Sequence, residues 1–428
     1  MRRDDRSRRT KSPLPAHILR RRLGVTLVCI SAFAAGTYFA TRDSSAPTAV
    51  TARTRTRPPP TPTTRLPETP TNVYAATAAV APAIANDATR VYVPSGLADA
   101  VTVIDPATKQ IVSSTPTGRG TTPQHVVPSF DLTTLWVLLN KSDAVVPINA
   151  RTGAVGAAIP VNDPYNLYFT PDGRAAIVVA EQHARLDFRD PHTMALQQSL
   201  DVPGCRGLNH ADYSADLRFM VVTCEFSGTV VRIDIRKRKV VGSLALAPPL
   251  GQAPVPTVMP DHSMAISMPQ DVRLSPDGTR FYVADMLLGG VHVVDASRFR
   301  ETGFIRTGIG AHSVTPSHDG HFVYIANRGS SSTRGRPHGP GSVSVVATST
   351  DRVVTTWTVP GGGSPDMGNL TADGKELWLS GRFDREVYAF DVATGSLTAR
   401  IPVPSGPHGL TVWPLAGRFS LGHTGNMR

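Results

Sequence analysis

Residues 269–299 read PQDVRLSPDGTRFYVADMLLGGVHVVDASRF, and the order of their chemistry decides the fold. A short alternating run ends at Ser-Pro-Asp-Gly, where Asp and Gly both tolerate the positive φ of a tight hairpin. A second run, RFYVAD, alternates with period two, which marks a strand rather than a helix. A third, VHVVD, ends on an aspartate placed to accept backbone N–H groups of the next turn. About thirty residues thus hold three strands of an antiparallel meander.

The same order recurs along the chain. Centres of the second run fall at Tyr92, Trp136, Val178, Val221, Tyr282, Tyr324 and Trp378, and ends of the third at Asp105, Asn149, Asp190, Asp234, Asp295, Ala347 and Asp391. Most neighbours in each column lie 41 to 44 residues apart, with two longer intervals, and both columns count seven units. A four-stranded unit of this kind cannot bury both faces alone, so the units stack around an axis. The reading is all-β: a seven-bladed β-propeller of four-stranded antiparallel blades over residues 73–428. The regularly spaced aspartates are turn residues, because a role repeated in blade after blade is the role of a turn. The last inner strand, at 409–413, completes the blade begun near Val91, or residues 72–86 supply part of that closure.

The formal charge of +11 is not spread over this repeat. Residues 1–22 carry +7 and 41–70 carry +3, leaving +1 for everything after Pro70. A nucleic-acid partner is therefore not expected of the folded part. Residues 23–40 (LGVTLVCISAFAAGTYFA) form an uncharged run of spanning length preceded by three arginines. This is the pattern of a single transmembrane anchor with the bulk of the chain outside the cytoplasm; a cleaved signal peptide is the alternative. Residues 1–22 are a basic cytoplasmic tail in this reading. Residues 41–72, rich in Thr, Pro and Arg, are a disordered spacer. The location is then the cell membrane, single-pass, with the propeller extracytoplasmic. There Cys205 and Cys224, on adjacent antiparallel strands, are expected to form a disulfide.

The stretches RVYVPSGLADAVTVIDPATKQIV (90–112), TRFYVADMLLGGVHVVDASRF (279–299) and FVYIANRGSSS (322–332), with the 269–285 run, resemble the YVTN-type propeller repeats of YncE-like proteins. The likeness covers residues 89 to about 414. It implies the fold and leaves function open, because such motifs record strands and turns. Propellers related in this way include surface binding proteins, amine dehydrogenase subunits and the d-type haem domain of nitrite reductases. The chain has no C-x-x-C-H for covalent haem.

Candidate chemistry lies where the innermost strands begin. One column there is polar in every unit: Gln124, Tyr165, Asn209, Gln270, His312, Asp366 and His408. The next holds His125, Asn166, His210, Asp271, Ser313, Met367 and Gly409. The first column is expected to face the axis as a ring at the channel mouth, binding a ligand or lining a water-filled channel. Two insertions, 242–268 and 328–341, fall on the same face, as do loop residues Glu181, His183, Glu225, Asp285, Asn327, Arg328 and Arg382. The ring imidazoles of His125, His210, His312 and His408 could ligate a metal ion or a haem iron, with His312 and His408 the foremost metal candidates. The leading expectation is a non-catalytic binding or scaffold module for a small molecule, glycan or protein. The alternative is a metal- or haem-dependent enzyme, lactonase-like, lyase-like or like the nitrite-reductase propeller, using the His and carboxylate ring. Oligomeric state is not legible.

Overall fold

The computed structural model describes residues 72–333, 337–423 and 425–428. The tail, membrane segment and spacer read from the first 71 residues lie outside them. Among the described residues no helix is long and apolar enough to cross a membrane, and the one helical element is a 3₁₀ turn, Ala75–Ala78.

Seven four-stranded antiparallel sheets form the blades. Blade one comprises residues 90–116 and the strand Thr411–Trp413; blades two to seven are residues 123–160, 164–201, 208–245, 269–306, 311–358 and 365–402. Closure comes from the C-terminal strand, which pairs Val412 with Val91. Residues 72–86 do not join that sheet; Val80 bridges Ala416 and Gly417 beside it.

Local chemistry explains why the blades form. In blades two to seven the first hairpin carries a Ser or Thr two residues before an Asp, at 129/131, 170/172, 214/216, 275/277, 317/319 and 371/373. In each, the hydroxyl donates to the carboxylate. In blade five, Asp277 then accepts from Thr279 N–H and the Ser275 hydroxyl from Arg280 N–H, which ties the turn to both strands. Alternation sends neighbouring side chains to opposite blades. Phe281 and Val283 pack toward blade four, while Tyr282 and Ala284 pack toward blade six. Both faces of this strand, Arg280–Asp285, are buried, each large apolar side chain contributing about 1.5–3 kcal/mol.

Cys205 and Cys224 are disulfide-bonded with Cα atoms 5.0 Å apart, beside the paired residues Leu208 and Cys224. The two insertions differ in form. The first contains a small hairpin, Thr257–Val258 with Met264–Ala265, and the second runs between the second and third strands of blade six.

Candidate functional site: a layered central channel

The innermost strands of blades two to seven break register just after they begin, for example between Pro123 and Val126 and between Pro365 and Gly368. A bulge places two successive residues on one side of a strand. Both polar columns therefore turn toward the axis, not the first alone as expected. The result is a channel of stacked layers.

The outermost layer is a recess of ≈ 140 Å³ whose lining includes Gln124, Tyr165, Gln270, His312 and His408. Pro260 and Thr333 bring both insertions to its rim, and Glu181, Glu225, Arg328 and Arg382 line it from the loops. Its two sides differ in charge. On one, Asp366 is fully buried and accepts from Arg328 Nε at 2.6 Å, with His408 Nδ1 at 2.7 Å and His312 Nδ1 at 2.9 Å. Arg328 Nη2 donates to His312 Nε2 at 2.8 Å, so the proton of that neutral ring is on Nδ1, facing Asp366. Burial opposes the Asp366 charge, but Arg328 and the two imidazoles outweigh it and hold the carboxyl well below its usual range. Burial, reinforced by Arg328, pushes His312 down to about 4. Burial and Arg382 hold His408 well below its usual range.

On the other side, Glu225 accepts from Asn209 Nδ2 at 3.2 Å and Gln270 Nε2 at 2.9 Å. Burial raises its carboxyl to about 7. Neutral amides do less for a buried carboxylate than an arginine does, so the two acids of the mouth diverge.

The second layer holds His125, Asn166, His210 and Asp271, one step below the mouth where the sequence placed them at it. Asp271 accepts from Val314 N–H of the next blade at 3.0 Å, and burial raises it to about 6. Gly409 belongs to this column for a steric reason: a Cβ there would lie 2.0 Å from His125 Cδ2.

A third layer and the floor come from residues that carry no repeat. The chain past 414 crosses beneath the ring. Its Leu421 carbonyl accepts from Phe169 N–H, and His423 N–H donates to the Leu167 carbonyl. Gly422, at φ +99°, permits that approach, since a Cβ would meet Leu167 O at 2.4 Å. His423 is fully buried, its ring 4.5 Å from His210 and 5.5 Å from His125 between centroids. Below it, Asp212 accepts from Arg428 Nη2 at 2.8 Å, Asn426 Nδ2 at 2.9 Å and Leu274 N–H at 2.8 Å. The sequence reading missed His423 and Arg428. A Gly-His-Thr-Gly stretch just past the last repeat was the available signal.

Three expected site residues are elsewhere. Asp285 accepts from the Ser267 hydroxyl and Met268 N–H, and Asn327 Oδ1 from the Thr307 hydroxyl and Gly308 N–H. Each is the last paired residue of its strand, opposite Gly290 and Ser342. Glu225, Arg328 and Arg382 stand one residue later, and alternation turns them to the mouth instead. His183 is exposed and does not line the recess.

No curated protein matches this sequence. Solved structures do match in shape. A functionally unknown protein from Desulfotomaculum acetoxidans aligns with a TM-score of 0.59 at 13% identity, over 76% of this chain and 98% of its own. Hydrazine synthase of Kuenenia stuttgartiensis aligns at 0.53 and 18% identity, over 66% and 87%. The dihydro-heme d1 dehydrogenase NirN, in complex with DHE, aligns at 0.53 and 15%, over 76% and 74%. At such identities these likenesses speak for the fold. Residues 257–418, from the inserted hairpin to the start of the C-terminal tail, match the family model of the YNCE-like beta-propeller, and the seven four-stranded sheets make the described chain a seven-bladed β-propeller.

Proposed function

We propose that the propeller is a binding module for a small polar molecule bearing an anionic group, held at the mouth between the Arg328–Arg382 side and the Glu181–Glu225 side. Arg382 carries this reading. Its guanidinium lines the recess and has no hydrogen-bond or ion-pair partner among the described residues, while the neighbouring Arg328 is neutralised by Asp366. A partly desolvated cation without a counter-charge is costly, and an anionic ligand removes that cost. The size of the recess limits the occupant. At ≈ 140 Å³ it is smaller than the roughly 300–1,000 Å³ of pockets for drug-sized ligands. It suits a few heavy atoms, or the acidic end group of a glycan or peptide, and a tetrapyrrole would have to lie above it. The uncharged run at 23–40 and the spacer at 41–72 support display outside the cell membrane.

Calorimetric titration of the full chain with acetate, succinate, glutamate, inorganic phosphate and N-acetylneuraminate tests the reading. At least one is expected to bind, and Arg382→Met should weaken it roughly tenfold to a hundredfold, the worth of a charge-assisted hydrogen bond. A silent panel, or affinity indifferent to Arg382→Met, refutes it. A second reading, a lyase-like or lactonase-like enzyme, draws on Glu225. A carboxyl raised to about 7 suits a general acid or base, and it lines the same recess as His408, whose ring is oriented by Asp366. Turnover of a lactone or uronate substrate that is lost in Glu225→Gln would favour it.

A further inference from the structure

Beneath the mouth, His125, His210 and His423 each offer a ligand atom, all within 4.8 Å of one another, and all three side chains are fully buried. The geometry points to a binding site for one divalent late first-row metal ion, of the Zn²⁺, Co²⁺ or Cu²⁺ class, held by these three imidazoles between the ring and the C-terminal tail. Two observations beyond proximity support it. His125 Nδ1 lies 2.8 Å from the Tyr165 carbonyl, so its N–H is spent there and Nε2 keeps a bare lone pair. That Nε2, like His210 Nε2, is buried and has no hydrogen-bond partner. Buried polar atoms are rarely left so.

Asn166 bridges the other two rings, with Nδ2 at 2.9 Å from His210 Nδ1 and 3.0 Å from His423 Nδ1. Turned about its amide, it accepts from both Nδ1–H groups, giving up the Leu167 N–H contact, and the His210 lone pair is then on the unpartnered Nε2. Tetrahedral metal–imidazole bonds of about 2.0–2.1 Å put nitrogens roughly 3.4 Å apart. The trio must therefore draw in by at most about 1.4 Å from its 4.8 Å limit. Burial keeps all three rings neutral, as ligation requires. Asp271 Oδ1, 3.6 Å from His423 Nε2, supplies a neighbouring negative charge. The pair singled out from sequence, His312 and His408, is instead engaged with Asp366 and Arg328.

The full chain, stripped with chelator, should take up one equivalent of Co²⁺ with visible d–d bands, and Zn²⁺ should displace it. His125→Gln and His423→Gln should each weaken uptake by about 100-fold or more, at or beyond the range that outer-shell changes cost. The exposed His192→Gln should leave it unchanged. X-ray absorption of the wild-type Zn²⁺ form should count three imidazoles, a readout that does not depend on a variant folding. Absence of saturable uptake of Co²⁺, Zn²⁺ and Cu²⁺ by the wild type would overturn the assignment. So would uptake unaffected in both folded glutamine variants, or a count of one imidazole or none.

Discussion

The hairpin turns at the blade edges and the residues along the axis were built from the same repeat, yet they have diverged in opposite ways. Six turns keep one hydroxyl–carboxylate pair in one geometry. Axial positions that correspond from blade to blade hold Gln, Tyr, Asn, His and Asp, and no one contact recurs around the ring: His408 meets Asp366, while Asn209 and Gln270 share Glu225. A repeated contact stabilises a blade; an unrepeated one exists once in the molecule, where the blades meet. Chemistry is therefore to be sought where the repeat fails.

The contrast is broken or sharpened by substitution. The largest effect is expected from Asp366→Ala, which leaves Arg328 buried without its carboxylate and removes the anchor of two imidazoles. Breaking a buried pair typically costs about 3–5 kcal/mol, read as a shift in the denaturant midpoint. A loss no greater than that of a turn aspartate would remove the distinction.

Next comes pH. Glu225, raised from 4.5 to about 7 in the fold, holds a proton natively that the unfolded chain has released, so its own contribution to stability falls as pH rises from about 4.5 to about 7. The contribution is on the order of 3 kcal/mol. Glu225→Gln should remove that contribution; Asp271, raised to about 6, and the buried channel imidazoles, whose lowered basicity acts in the opposite direction over the same window, are common to both proteins and cancel in the difference. Urea melts across the range measure the difference, and parallel profiles for the two proteins would show that Glu225 is already ionised. Anion binding at the mouth should weaken over the same interval as Glu225 gains charge.

The smallest effect belongs to the turns. Asp277→Ala should cost about 1 kcal/mol through lost turn hydrogen bonds. It should leave both Co²⁺ uptake and anion binding at the wild-type level. A change in either would mean that the edges and the axis are coupled.

Blades were legible in the sequence because strand alternation and turn chemistry act within a few residues. Tyr92 and Trp378 could be placed at strand centres from their neighbours alone. The site was legible only in part. Gln124 and His125 share the axial side because of a bulge, a backbone event that side-chain patterning does not record. Asp285 and Asn327 fell one residue short of the mouth positions, and one residue is the whole difference between two faces of a strand. His423 lies in a segment without repeat, whose place is set by long-range contacts to Leu167 and Phe169.

The strand Thr411–Trp413 pairs with a partner more than three hundred residues earlier. As the chain emerges from a ribosome, six blades can be complete while blade one still waits for its inner strand and the channel for its floor. Neither His408 at the mouth nor His423 below it exists until then. The axial chemistry is thus withheld from every partly made chain, and the nascent protein carries an unpaired inner edge on Arg90–Ser95 while the more than three hundred residues that follow it are made.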